Sequence, residues 1–197
     1  LGARDERYFR VLKLRGSAYR AGQHAFRIGA GGLEVFPRLV TPDFTEYEPK
    51  LRRVPSGVRG LDAVLGGGLW SGCTTLLVGS TGAGKTTMGL QFALAGLKLD
   101  EPTLFVNFQE NPAQIRRLLT TLGMSEDDPR NANFHLLYVS PVELQIDSVI
   151  VGIFGDIKSK GIRRVVIDAI GDLSNAASDP QRLHDYMYSL VQHFVVN

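Results

Sequence analysis

Eight consecutive residues, Gly79-Ser80-Thr81-Gly82-Ala83-Gly84-Lys85-Thr86, fill the pattern G-x-x-x-x-G-K-[ST]. An apolar run, Thr74–Val78, stands immediately before them and a helix-forming run immediately after. Glycines let the backbone turn so that successive N–H groups face inward, and the following helix adds the positive end of its dipole. Together these hold the β and γ phosphates of a nucleotide. Lys85 adds a point charge on the same oxygens, the Thr86 hydroxyl is suited to ligate Mg²⁺, and Thr87, one residue further along, is suited to the α-phosphate.

Such a loop needs an acid at the end of another central strand, on the opposite side of the metal and its waters. Val165-Val166-Ile167-Asp168 supplies it. Hydrolysis also needs a group that orients or deprotonates the attacking water. A further strand ends in Gln109-Glu110, and either residue is placed to face the γ-phosphate.

These residues require a scaffold, and the composition allows one. The chain has 197 residues, 44% hydrophobic and 21% charged, with a formal net charge of +2. Length and composition are those of a globular protein and exclude disordered and collagen-like classes. Polar residues or Gly interrupt every apolar run before a membrane span is reached, and no signal-peptide pattern opens the chain, so the reading is a cytoplasmic protein with no membrane partner. Its one cysteine, Cys73, cannot form an internal disulfide.

From about residue 52 strand-like and helix-like stretches alternate, the signature of a parallel sheet covered by helices. The strands are read at Thr74–Val78, Thr103–Phe108, His135–Val139 and Arg164–Ile170. Asn111-Pro112 caps a helix running to about Leu122. Ile146, Val149, Ile150, Ile153 and Ile157 form one apolar stripe on a second helix ending near Gly161. Asp179-Pro180 starts a third, with Leu183, Met187, Leu190, Val191 and Phe194 facing the core.

The first part of the chain has a different character. Residues 1–53 carry 11 Lys/Arg against 6 Asp/Glu, and the remainder 11 against 14. Alternation from Arg7 to Arg15 reads as a strand, followed by strand-like runs His24–Ile28 and Leu33–Phe36, so the basic excess is taken as a solvated strand face. Residues 41–51, with Pro42 and Pro49, read as a linker.

The run Pro55-Ser56-Gly57-Val58-Arg59-Gly60-Leu61-Asp62-Ala63-Val64-Leu65-Gly66-Gly67-Gly68-Leu69, followed by the phosphate loop, resembles the KaiC family of RecA-type ATPases. The resemblance implies an α/β RecA-like fold, with a mainly parallel sheet flanked by helices and an N-terminal β-hairpin appendage. It implies ATP and Mg²⁺ as cofactors and a hexameric ring of identical chains with ATP between neighbours. Some members are clock proteins with Ser/Thr autokinase activity, which points to clock or signalling proteins as partners. Residues 1–40 then correspond to the closing strands of a preceding domain, and 52–197 to an ATPase domain truncated at its C-terminal side. The family's Lys-x-Arg, which reaches the adjacent subunit's nucleotide, matches Lys13 and Arg15. A cation supplied in trans neutralises charge developing on the γ-phosphate.

Two departures bear on rate. Gln109-Glu110 stands where the family usually shows two glutamates, and glutamine orients water but is no general base. Ala169 follows the strand aspartate where serine is usual. Slow hydrolysis is the expectation. A sheet lacking its last strands would leave an open edge, so the hairpin is expected to dock there or chains to associate. Other classes stay open: a DNA-dependent recombination ATPase, disfavoured because no basic aromatic loop suits single strands, and a nucleotide-gated module without turnover. Trp70 reads as a hydrophobic anchor, Cys73 as core, and Arg116-Arg117 and Arg163-Arg164 as solvated ends. The scattered His24, His135, His184 and His193 support neither a metal site nor a triad.

Overall fold

A computed structural model describes residues 7–39, 51–142, 144–176 and 180–196. The antiparallel sheet β1 (Arg7–Phe9), β2 (His24–Gly29) and β3 (Gly32–Phe36) comes first. A small ribbon pairs β4 (Arg53–Val54) with β5 (Leu69–Trp70), bracketing the short helix α1 (Leu61–Val64). Helix α2 (Lys85–Leu97), β6 (Thr103–Asn107), α3 (Pro112–Thr121), β7 (Phe134–Tyr138), α4 (Ile146–Lys160), β8 (Arg164–Asp168), α5 (Ile170–Ala176) and α6 (Pro180–Val196) follow. The linker expected over 41–51 lies outside the described residues save Leu51, as does Asp179, read as the cap of α6.

The parallel sheet has the order β7-β6-β8. Its central strand is buried from end to end, which explains why it reads as a continuous apolar run rather than an alternating one. Side chains still alternate in direction. Phe105 joins Leu90, Leu94 and Leu97 of α2 and Ile115 and Leu119 of α3 in one cluster. Leu104 and Val106 join Val149 and Ile153 of α4 and Leu173 of α5 in the other. The helices thus cover both faces, as the resemblance implies. Where α2 crosses the sheet it must come close. A Cβ on Gly89 would stand 3.0 Å from the Val166 side chain, and one on Gly96 2.5 Å from Arg164.

Helix ends follow their local chemistry. Asn111 Oδ1 accepts from the N–H groups of Ala113 and Gln114, and Gln114 Oε1 accepts from the Asn111 N–H at 2.8 Å. These bonds satisfy donors that the first turn of α3 would otherwise leave open. Gly161, at φ 61°, ends α4 in the left-handed conformation that glycine adopts freely.

Three expectations need correction. Thr74–Val78 forms no strand and carries no strand pairing, and Leu76, Leu77 and Val78 are exposed. An apolar run marks a segment that a sheet would accept, whereas the ladder is a long-range pairing that the run does not encode. The first strand stops at Phe9 rather than Arg15, because the ladder with β2 ends where Phe9 pairs with His24, the first residue of β2. His24 is pinned there, its ring nitrogens bonded to the Arg20 carbonyl and the Arg38 N–H. Of the two outcomes expected at the open edge, docking of the N-terminal sheet is not seen among the described residues, where β1-β2-β3 and β7-β6-β8 are separate sheets. Instead β3 abuts α4, and Leu39 packs against Ile150, Tyr186 and Leu190. Behind that contact the Tyr186 hydroxyl donates to the buried carboxylate of Asp147.

Candidate nucleotide site

The loop is exposed over residues 79–83 and turns on two glycines in the left-handed region, Gly82 at φ 80° and Gly84 at φ 86°. Gly84 is also the residue from which α2 starts, with no side chain capping it. The first N–H groups of a thirteen-residue helix therefore open on the loop, an arrangement that favours an anion. Lys85 reaches back over the loop, and its Nζ donates to the carbonyls of Gly79 at 2.9 Å and Ser80 at 2.8 Å. Gly79, Ser80, Thr81, Gly82, Ala83 and Gly84 thus lead through a turn into Lys85 and Thr86, the first residues of α2, and Thr87 is exposed on the same turn of the helix.

Strand β8 delivers Asp168 to the same place. In the sheet register Asp168 lies beside Asn107 of β6, both at the carboxyl ends of their strands. Crevices at that end of a parallel sheet are where such folds bind ligands. The Thr86 side chain lies near enough to the Asp168 carboxylate to favour its ionised form. The Asp168 Oδ2 atom is buried with no partner among the described residues. Burial pushes this carboxyl above the ordinary aspartate range; Thr86 pulls it down, Glu110 pushes it up, Lys85 pulls down and Asp172 pushes up. A buried carboxylate oxygen without a partner, near a hydroxyl, is a donor pair suited to a hard divalent cation that keeps its other waters. The residues fit Mg²⁺, with Thr86 and Asp168 as the pair that would hold it. Among the described residues no group of three or more His, Cys, Asp or Glu side chains stands in metal-binding proximity by itself.

Gln109 and Glu110 come to the same end of the sheet but point to different partners. Glu110 Oε2 accepts from Asn107 Nδ2 at 2.7 Å, whereas Gln109 Nε2 donates to both Asp172 oxygens, at 3.2 and 3.0 Å. Lys13 and Arg15 lie in the exposed stretch after β1 and form no hydrogen bond or ion pair with the loop. The structure therefore gathers the loop, Asp168 and Glu110, with Gln109 at its margin, and leaves the two N-terminal cations apart.

Two residues escaped the sequence reading. Asn107 is wholly buried, and the one signal for it is a polar residue interrupting the apolar run Leu104–Phe108. Arg164, expected to be solvated, is 4% exposed. Its Nε donates to Glu101 Oε2 at 2.7 Å, its Nη1 donates to the carbonyls of Pro55 and Phe92, and its guanidinium lies over the Phe92 ring. Arg163, Arg116 and Arg117 are exposed as expected. Cys73, expected in the core, is exposed, in keeping with the unpaired segment it opens. Trp70 is half-exposed and carries the Arg53 guanidinium 3.7 Å above its ring.

No helix among the described residues is long and apolar enough to cross a membrane. A family model described as "ATPase: KaiC" matches residues 54–196. The chain is 30% identical over 179 residues to the circadian clock oscillator protein KaiC of Thermostichus vulcanus. It is 28% identical over the same length to that of Picosynechococcus sp. and to circadian clock oscillator protein KaiC 1 of Synechocystis sp.. Each match covers 90% of this chain and 34% of the relative, so the chain spans about a third of the length of the curated relatives it matches. With the phosphate loop, the strand aspartate and the parallel sheet in place, the match over residues 54–196 shows that this chain belongs to the KaiC family of ATPases.

Proposed function

We propose that the chain binds Mg-ATP on the loop 79–86 and hydrolyses it slowly. The observation that carries this reading is the Asp168 carboxylate at the carboxyl end of β8, one oxygen of which is buried without a partner among the described residues, within reach of the Thr86 side chain and the Lys85 charge of the loop. The loop N–H groups and Lys85 bind the β and γ phosphates. Mg²⁺, when bound, supplies charge neutralisation at those phosphates. Glu110 polarises a water whose oxygen bonds to the γ-phosphorus as the bond to the β,γ-bridging oxygen breaks. ADP leaves with that electron pair, and the water's proton passes to the carboxylate.

The wider assignments rest on family likeness. Matches covering 90% of the chain extend well ahead of residue 54, which supports reading residues 1–40 as closing strands of a preceding KaiC-like domain, 41–51 as a linker and 52–197 as the ATPase domain. On the same likeness the intact protein forms a hexameric ring in the cytoplasm, with Lys13 and Arg15 supplying charge to a neighbour's nucleotide. Ser/Thr autokinase activity and clock or signalling partners belong to that intact protein. A second reading, nucleotide binding without turnover, is favoured by one observation: Gln109 is held by Asp172.

The test measures Mg-ATP binding and multiple-turnover hydrolysis side by side for the chain and for Lys85→Ala, with light-scattering mass in the presence and absence of ATP. Turnover that falls about 10²- to 10³-fold in Lys85→Ala supports the hydrolytic reading. Binding without turnover in the unaltered chain selects the second reading. Absence of binding overturns both.

A further inference from the structure

The carboxyl end of β6 carries an arrangement that the phosphate loop does not explain. Asn107 is wholly buried, and both ends of its carboxamide are used. Oδ1 accepts the Gln109 N–H at 3.1 Å, and Nδ2 donates to Glu110 Oε2 at 2.7 Å. Only one amide orientation serves both, since the reversed one would set a carbonyl oxygen against a carboxylate and an NH₂ against an N–H. The Glu110 carboxylate is thereby held in one direction by a side chain fixed inside the sheet.

Its neighbour is turned elsewhere. Gln109 is exposed and forks its NH₂ onto both oxygens of Asp172, in the first turn of α5. Adjacent residues that both qualify by type for work on water are separated by their supports, one tied to β6 and the other to α5.

We propose that Asn107 and Asp172 are positioning residues that divide this pair, Asn107 holding Glu110 as the group that polarises water and Asp172 holding Gln109 as a tether between the end of β6 and α5. This rests on the hydrolytic reading above and assigns the roles within it. Glutamine at position 109 suits a tether. It donates to Asp172, whereas a glutamate there would face Asp172 with like charge.

Asn107→Asp keeps the shape and the acceptor for the Gln109 N–H but sets an oxygen against Glu110. It is expected to lower kcat about 10- to 100-fold while the Kd for Mg-ATP stays within about threefold. Glu110→Gln is expected to lower kcat at least about 100-fold, and Gln109→Ala and Asp172→Ala no more than about fivefold each. A Gln109→Ala loss equal to that of Glu110→Gln, or an unchanged kcat in Asn107→Asp, overturns the division of roles. Because Asn107 is buried, the arrangement is also read without turnover, from hydrogen exchange of its side-chain amide by NMR in the unaltered chain. Slow exchange that becomes fast in Glu110→Ala supports the proposal, and fast exchange in a chain that hydrolyses ATP overturns it alone. A chain that binds Mg-ATP with no turnover overturns the hydrolytic reading, and the role of Glu110 with it.

Discussion

Arg164 and Asp168 are the first and last residues of β8, and each holds one buried side-chain atom, Nη2 and Oδ2 respectively, without a partner among the described residues. The two ends differ in how far neighbours compensate. Arg164 is met by Glu101, two carbonyls and an aromatic ring, so its charge is answered where it lies. Asp168 has the Thr86 hydroxyl and the Lys85 charge set against two further acids. One end joins parts of the chain together, and the other invites a cation.

Removing the joining end should be costly. Arg164→Met leaves Glu101 half-answered and takes the guanidinium donor from the Pro55 and Phe92 carbonyls, so unfolding stability should fall by about 3 kcal/mol. The double variant Arg164→Met/Glu101→Leu, which removes both charges, should recover part of that loss. Urea unfolding of the three proteins provides the check, and equal stability of Arg164→Met and the unaltered chain would contradict the assignment.

The same pair sets a pH dependence. Burial pushes the Glu101 carboxyl up, but the hydrogen bonds and charges of Arg164 and Arg52 outweigh it and hold the group below the usual glutamate value. A lowered folded pKa means that the unfolded chain binds the proton first on acidification. The stabilisation is therefore full above the unfolded value of about 4.3 and is lost as pH falls through the lower folded one. Compared with Glu101→Gln, the unaltered chain should keep a constant stability advantage from pH 7 to about 5 and lose it below about 4. Thermal melts of both proteins across that range measure it.

Asp168→Asn should separate stability from function. In the folded chain the ionised carboxylate is the form that burial penalises, so its neutral isostere should melt at the same temperature or a few degrees higher without metal, a gain of about 1 kcal/mol at most. The Mg²⁺-dependent gain in ATP affinity should drop at least about tenfold. Calorimetric melts in chelator and nucleotide titrations with and without Mg²⁺ would test the two halves independently.

The cap of α3 adjoins Glu110 directly. Asn111→Ala removes an acceptor for two N–H groups and should destabilise by about 1 kcal/mol, whereas Asn111→Gly should cost only a few tenths. If both variants lose the same amount in chemical denaturation, the side-chain cap is not the cause.

Much of this architecture is legible in the chain because it is local. The strands at 103–107 and 164–168, the asparagine cap, the isoleucine stripe of α4 and its glycine end all express preferences settled within a few residues. The phosphate loop is equally local, and its glycines sit where the turn needs them. What escaped depends on distant partners. Arg164 looks like half of a solvated pair until Glu101, 63 residues away, and Pro55, 109 away, are brought to it. The segment 74–78 reads as a strand on composition alone, yet no ladder forms on it. Asn107 is meaningful only through Glu110 and the register that sets it beside Asp168.

Strand β8 carries its two charged ends about 13 Å apart, four residues at about 3.3 Å each. Changes at sites more than about 7 to 10 Å apart that share no partner add nearly independently. The partners differ: Glu101, Pro55 and Phe92 at one end, Thr86 and the acids of the loop crevice at the other. A lineage can therefore retune the chemistry of this strand while the fold's fastening goes untouched, and can harden the fastening without disturbing the chemistry.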